Sequence, residues 1–122
     1  MDKFRFLEWK AYKEAKQLFS IILKTVKKLP KEYRFELGSQ IVRSSLSIVL
    51  NIAEGSGKVS DKELNRFIEI ALGSVSETLA GCDVIKEEGF ISREEFQGIY
   101  VKLDSISNQL GGFKKKLSIC RQ

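Results

Sequence analysis

The chain has 122 residues, 43% hydrophobic and 30% charged, with a net charge of +5, one proline and no histidine. It is long enough for one domain with a real core and short for two, so residues 1–122 are expected to form a single domain. Without histidine the commonest general base, every histidine-containing nucleophilic triad and the usual zinc ligand are gone, so no catalytic residue, metal site or cofactor is expected. The opening MDKFRFLEW mixes charge with aromatics, unlike a signal peptide. No apolar run approaches the roughly 20 residues of a membrane span, and a cytoplasmic protein with no membrane partner is expected.

Hydrophobic spacing lays out four helices, over residues 6–28, 35–54, 61–87 and 93–118, and no alternating strand. In the first, Ala11, Ala15, Leu18, Phe19, Ile22, Val26 and Leu29 make one apolar stripe, which Pro30 ends. The second is expected to stop where Gly55 and Gly57 can take a left-handed cap. The third opens on a capping box, Ser60-Asp61-Lys62-Glu63, runs through Leu64, Phe67, Ile68, Ala71, Leu72, Val75, Leu79, Cys82 and Ile85, and stops near Gly89. A second capping box, Ser92 to Glu95, starts the fourth. Its apolar positions, Phe96, Ile99, Leu103, Ile106, Leu110, Phe113, Leu117 and Cys120, alternate spacings of three and four, the pattern of a coiled-coil-like seam. Short connections between helices this long favour antiparallel neighbours, so the expected fold is all-α, an up-down-up-down four-helix bundle. Cys82 and Cys120, both on apolar positions, read as buried thiols.

The second helix stands out by its width. Ile41, Val42, Leu46, Ile48, Val49, Leu50, Ile52 and Ala53 fill an arc of about 200°, wider than one packing partner covers. The remaining arc holds Gln40, Arg43, Ser44, Ser47, Asn51 and Glu54, a stripe able to donate and accept hydrogen bonds along most of the helix. It reads either as a ligand pocket or as a hydrogen-bond network between helices or subunits, with Arg43 and Glu54 charge-paired and Glu69 or Glu77 of the third helix as partners; buried polar groups must be paired, which favours the network. On the third helix Gly73, Ala80 and Gly81 form a small-residue back beside Ser74 and Glu77. A mid-helix glycine is costly unless something approaches closely, either another chain or a helix of the same bundle.

Charge is unevenly distributed. Residues 1–34 carry ten lysines and arginines against four acids, while residues 35–122 carry eleven against twelve. Lys10, Lys13, Lys16, Lys24, Lys27 and Lys28 share an arc of about 120° on the first helix, opposite its apolar stripe and free of Glu8 and Glu14. Such a single-sign face either binds a polyanion or keeps the protein soluble. An up-down-up-down bundle would bring Lys3 and Arg5 near Lys114, Lys115, Lys116 and Arg121. Gly55-Ser56-Gly57-Lys58 falls short of a phosphate loop, since Ile52 and Val59 stand where that pattern needs glycine and Ser/Thr and no strand precedes it.

Taken together, Phe6-Leu7-x-Trp9-x-Ala11, Leu29-Pro30-Lys31-Glu32, the run Ser39-Gln40-x-x-Arg43-Ser44-x-x-Ser47-Ile48-x-x-Asn51-Ile52-Ala53-Glu54-Gly55-Ser56-Gly57, and Phe67-x-x-x-Ala71-x-Gly73-Ser74-x-x-Glu77 resemble the bacterial four-helix-bundle proteins encoded in intervening sequences of 23S ribosomal RNA genes. The resemblance covers nearly the whole chain. It departs at Arg43-Ser44-Ser45, where the family commonly has Arg-Ala-Ala. It implies a non-enzymatic homopentamer and a relationship to the accessory protein of diversity-generating retroelements, which binds RNA and reverse transcriptase. The favoured expectation is therefore a pentameric nucleic-acid-binding accessory protein, contacting RNA or DNA through Lys10, Lys13, Lys24, Lys27, Lys28, Lys114, Lys115 and Lys116, with Gln40, Arg43, Ser47, Asn51, Glu54 and Glu77 as its structural polar network. The alternative is a scaffold that binds a protein partner, such as a reverse transcriptase, and no nucleic acid.

Overall fold

The structure, a computed structural model, describes residues 3–120, with side chains to Leu117. Four long helices make up most of it: α1 (Lys10–Val26), α2 (Ser39–Ser56), α3 (Asp61–Glu87) and α4 (Arg93–Cys120). Each packs on the next and α4 closes on α1. Lys28, just past the end of α1, pairs with Glu95 at the start of α4, whereas Trp9 meets Phe113, so these two run antiparallel. The same holds for α2 and α3, where Ser44 meets Thr78 and Ser47 meets Ser74. The fold is an all-α, up-down-up-down four-helix bundle, the arrangement that short connections impose on helices of this length.

The stripes legible in the sequence form the core. Ala15, Leu18 and Ile22 of α1, Ile48 of α2, Ala71, Cys82 and Ile85 of α3, and Ile99, Leu103, Ile106 and Leu110 of α4 are all buried. Each leucine or isoleucine so buried contributes about 1.5–3 kcal/mol relative to exposure, which is what holds helices of modest intrinsic stability together. Phe96, Phe113 and Leu117 pack against this core at its edge. The side chain of Cys120 and all of Arg121 lie outside the described residues.

Ends of helices follow local chemistry. At Ser92 the capping box is reciprocal: the Glu95 amide donates to Ser92 Oγ at 3.0 Å and the Ser92 amide to Glu95 Oε1 at 2.9 Å. At Ser60 only half of it forms, because the Glu63 amide reaches Ser60 Oγ at 3.1 Å while the Glu63 carboxylate turns to Arg66. α3 ends in a Schellman turn, with Gly89 at φ +81° and bonds from Gly89 N to Lys86 O and from Phe90 N to Ile85 O, both 2.9 Å. The Arg34 guanidinium donates at 3.1 Å to the carbonyls of Lys27 and Leu29, satisfying groups orphaned where α1 stops.

Three expectations need correction. The first helix begins at Lys10, not Phe6: Arg5–Glu8 is a 3₁₀ turn and Trp9 is extended at φ −70°, ψ 133°. Residues six apart on a straight helix point about 120° apart, so the ring contact of Phe6 with Tyr12, centroids 4.9 Å apart, requires this break. The second helix is entered through one α turn (Lys31–Tyr33) and a π-helical turn (Arg34–Gly38), and it continues through Ser56. Gly55 and Gly57 take no left-handed cap; Gly55 is buried within the helix and Gly57 lies at φ −89°, ψ 0°.

What Gly55 supplies is room. A Cβ there would stand 2.8 Å from the Cβ of Phe67, and one at Gly81 would stand 2.8 Å from Ile41 Cγ1. Both glycines let α2 and α3 approach closely, so the bundle itself accounts for Gly81, while a Cβ at Gly73 would meet nothing. Gly55→Ala and Gly81→Ala should therefore each destabilise the protein, by about 1–3 kcal/mol through overpacking. Gly98→Ala and Gly111→Ala, in open space on α4, should stabilise it by about 0.5–1 kcal/mol each. Urea unfolding of the four variants measures both signs.

Candidate functional site

The polar stripe of α2 divides in two. Its inner half forms a hydroxyl ladder with α3. Ser44 Oγ and Thr78 Oγ1 lie 2.7 Å apart, Thr78 Oγ1 donates to Ser74 O at 2.8 Å, Ser74 Oγ donates to Ser47 Oγ at 2.8 Å, and Asn51 Nδ2 donates to Ser47 Oγ at 2.9 Å and to Ser47 O at 2.8 Å. Ser44, Ser74 and Thr78 are buried. Sequence reasoning missed Thr78 because it sits among the apolar residues of α3, whereas Ser44 already belongs to the polar stripe and Ser45 lies outside it. Ser45, fully buried, returns its hydroxyl to Val42 O at 3.0 Å.

The outer half behaves differently. Gln40, Arg43, Glu54 and Glu77 are exposed and form no side-chain hydrogen bond or ion pair among the described residues. The expected charge pairing of Arg43 and Glu54 is thus not made within the chain, and Glu69 instead pairs with Lys114 at 3.2 Å. Arg43 and Glu54 occupy the outward side of α2, where the helix is bare. Leu46 and Leu50 of the wide arc are 37% and 54% exposed, so within one chain α2 is not surrounded. Ile70 and Val84 extend the exposed apolar surface onto α3. A cleft of about 130 Å³ between the two helices is lined by Leu37, Gln40, Ile41, Glu77, Gly81 and Val84, among others.

Lys10, Lys13, Lys16 and Lys24 are exposed along α1, and Lys27 and Lys28, expected on the same helix, are exposed on the turn that follows it. Their field is only partly neutralised: Lys13 pairs with Glu8 at 3.3 Å and Lys28 with Glu95. Lys16 lies over the Tyr12 ring at 4.9 Å. Lys10, Lys24, Lys27, Lys115 and Lys116 form no ion pair among the described residues. Of the basic residues expected to gather at one end, Arg5 and Lys116 line one pocket. Arg5 stacks over Trp9 at 5.3 Å and donates to Ser56 O at 3.2 Å, Trp9 touches Phe113 at 4.9 Å, and Lys10 and Lys116 line the same open pocket beside these rings. Glu14, on the α4 side of α1, is tied to Ser105 at 2.8 Å, to Gln109 and to Lys102.

Gly55-Ser56-Gly57-Lys58 is structural throughout: Ser56 Oγ donates to Ala53 O at 2.7 Å and Lys58 lies over the Phe67 ring at 5.1 Å. Among the described residues no group of three or more acidic, cysteine or histidine side chains gathers as a metal site would, and no helix is long and apolar enough to cross a membrane. Cys82 is fully buried, and burial pushes its thiol up from 9.0 to about 12.

These features define an all-α bundle whose polar groups knit helix seams and whose charges lie on the surface. A family model for the 23S rRNA-intervening sequence protein matches residues 8–112, and the chain belongs to that family. Among solved structures it is similar to the crystal structure of a protein of unknown function from the S23 ribosomal protein family of Bacteroides thetaiotaomicron. The two share 24% identity over 86% of this chain and 98% of the other, with a TM-score of 0.80, a likeness of fold. Comparison with curated proteins gives no match.

Two outcomes follow from the inner contacts. Thr78→Val keeps shape but removes the hydroxyl that both Ser44 and the Ser74 carbonyl use, and should cost about 1–3 kcal/mol in urea unfolding. The Cys82 thiol is raised in the folded state, so its contribution is fully present below pH 9 and is lost as pH rises towards 12. Over that window wild type should lose stability more steeply than Cys82→Ala, as followed by unfolding at fixed pH values.

Proposed function

We propose that this protein is a non-enzymatic bundle that assembles as a homopentamer and acts as an accessory factor binding nucleic acid, RNA in particular. One observation carries the binding: Lys10, Lys13 and Lys24 are exposed on α1, Lys27 and Lys28 on the turn that follows it, and Lys114, Lys115 and Lys116 near the end of α4. The acids near them, Glu8, Glu95 and Glu69, form surface pairs. Such pairs contribute about 0–1 kcal/mol each, little enough for a phosphate backbone to displace. Phosphate contacts release counterions, and a ring repeats each basic face in every subunit, so weak single contacts add up.

Assembly is supported by the bare face of α2 and α3. Leu46, Leu50, Ile70 and Val84 are exposed there beside Arg43, Glu54 and Glu77, charges with no partner among the described residues. A neighbouring copy would cover the first group and pair the second. In a ring the contact is heterologous, one patch meeting a different one, and the α2 and α3 surfaces offer two such patches. The number five comes from the family resemblance. The same apolar face favours the second reading, a scaffold that receives a protein partner such as the reverse transcriptase implied by the retroelement relationship, without nucleic acid.

Light scattering should give a mass five times 13.9 kDa, reduced in an Arg43→Leu variant that remains helical. Binding of an RNA oligomer should fall steeply with salt. Changing Lys10, Lys24 and Lys27 together to glutamine should lower the slope of log affinity against log salt by about 2, since each phosphate that a lysine neutralises adds about 0.7 to that slope on a single strand. Unchanged binding by that variant at low salt would leave the lysine face a solubilising surface and favour the scaffold.

A further inference from the structure

The end of the bundle where the chain's first and last turns meet holds something the lysine face lacks. An open pocket of about 350 Å³ is lined by Trp9, Phe113, Ala11, Gly112, Lys10 and Lys116, with Gln109 on its wall. We propose that this pocket receives an unpaired base of a single-stranded nucleic acid, stacked on the aromatic wall of Trp9 and Phe113, with Lys10 and Lys116 meeting the phosphates on either side. The inference rests on the nucleic-acid reading above and says which form of nucleic acid is taken.

Four observations carry it. Trp9 and Phe113 pack against the edge of the core yet stay only partly buried, and both line the opening. The floor is Ala11 and Gly112, where even a Cβ on Gly112 would meet nothing within 4 Å, so a flat ring can enter. The charges are complementary to a nucleotide: among the described residues Lys10 and Lys116 are exposed and unpaired, and no acidic side chain lines this pocket. In the adjoining pocket Arg5 stands with Lys116 and Trp9, and Asp61 is the one acid among its described lining residues.

The aromatic wall is also held in place. Trp9 caps α1 with an extended backbone, which swings its ring out of the helix path and onto Phe113. Arg5 clamps the indole while its guanidinium reaches Ser56 O at 3.2 Å on α2, and Gln109 is tied down by Glu14. A volume of about 350 Å³ is within the range of small-ligand pockets. Aromatic stacking tolerates any base, because every base has a π face, and a duplex offers none without first unpairing. The site therefore selects strandedness rather than sequence.

Trp9 is the sole tryptophan in the chain, so its emission reports directly on the pocket. Wild-type protein titrated with an adenylate RNA oligomer of about 12 nucleotides should show saturable quenching, and a duplex of the same length should quench several-fold less. Lys10→Gln with Lys116→Gln should move the midpoint by about fivefold or more, at unchanged helix content. In a gel shift, Trp9→Leu should weaken single-strand binding by about tenfold, the scale of one stacked base, and leave duplex binding unchanged. Should Trp9→Leu fail to fold, the wild-type quenching curve and the lysine pair still decide. Single strand that shifts in the gel without altering the tryptophan emission overturns the stacking site and leaves the basic-face reading standing. Absence of a shift with either nucleic acid overturns both.

Discussion

The close approach of α2 to α3 is the constraint on which the other contacts hang. Glycines at 55 and 81 leave no Cβ in the way of Phe67 and Ile41. Between them the helices are near enough for hydroxyls to bond across the seam, from Ser44 through Thr78 and Ser74 to Ser47 and Asn51. Directional bonds of this kind set register where apolar packing alone would allow a slide. With that register set, Ile48 and Ile52 face the core, while Leu46, Leu50, Arg43 and Glu54 are turned outward. The bare face of α2 is thus a consequence of how tightly its other side is bound.

The α1–α4 seam is joined differently. Charged and amide side chains bridge it, with Glu14 between Ser105, Gln109 and Lys102, Gln17 bonded to Lys102 at 2.8 Å, and Glu95 both capping α4 and pairing with Lys28. These groups lie near solvent, where each contributes little by itself. Their effect is positional: acids are drawn to the α4 side of α1, which leaves the outward lysines less neutralised than the overall composition would suggest. At the end of this seam, where Trp9 leaves the helical path, aromatic rings and cations come together.

Membership of the 23S rRNA-intervening sequence protein family rests on residues 8–112, and the Bacteroides thetaiotaomicron structure shares the bundle at a TM-score of 0.80. Within that frame the serines following Arg43 are a feature of this chain's own packing. Where the family commonly has Arg-Ala-Ala, alanines could neither reach Thr78 nor bond the Val42 carbonyl as Ser44 and Ser45 do here. Ser44, which the sequence already puts in the polar stripe, is part of the inner seam, while the Ser45 hydroxyl is satisfied within α2.

The sequence by itself determined the helices, their order and their core, because spacings of three and four among Leu18, Ile22, Ile99, Leu103, Ile106 and Leu110 register local geometry that tertiary contacts need not supply. Ser92 and Glu95 announced their helix start for the same reason: a capping box closes within four residues. What needed the tertiary structure was every decision made between distant residues. Gly55 read as a cap and proved to be a point of close approach, since only the position of Phe67 distinguishes the two. Arg43 and Glu54 read as members of a buried network and stand outside it, because helical angle tells which side a residue takes but not where the neighbouring helix ends. Trp9 read as part of a helix, and Phe113 as part of a seam; only folding, which brings residues about a hundred positions apart to 4.9 Å, made them one pocket wall.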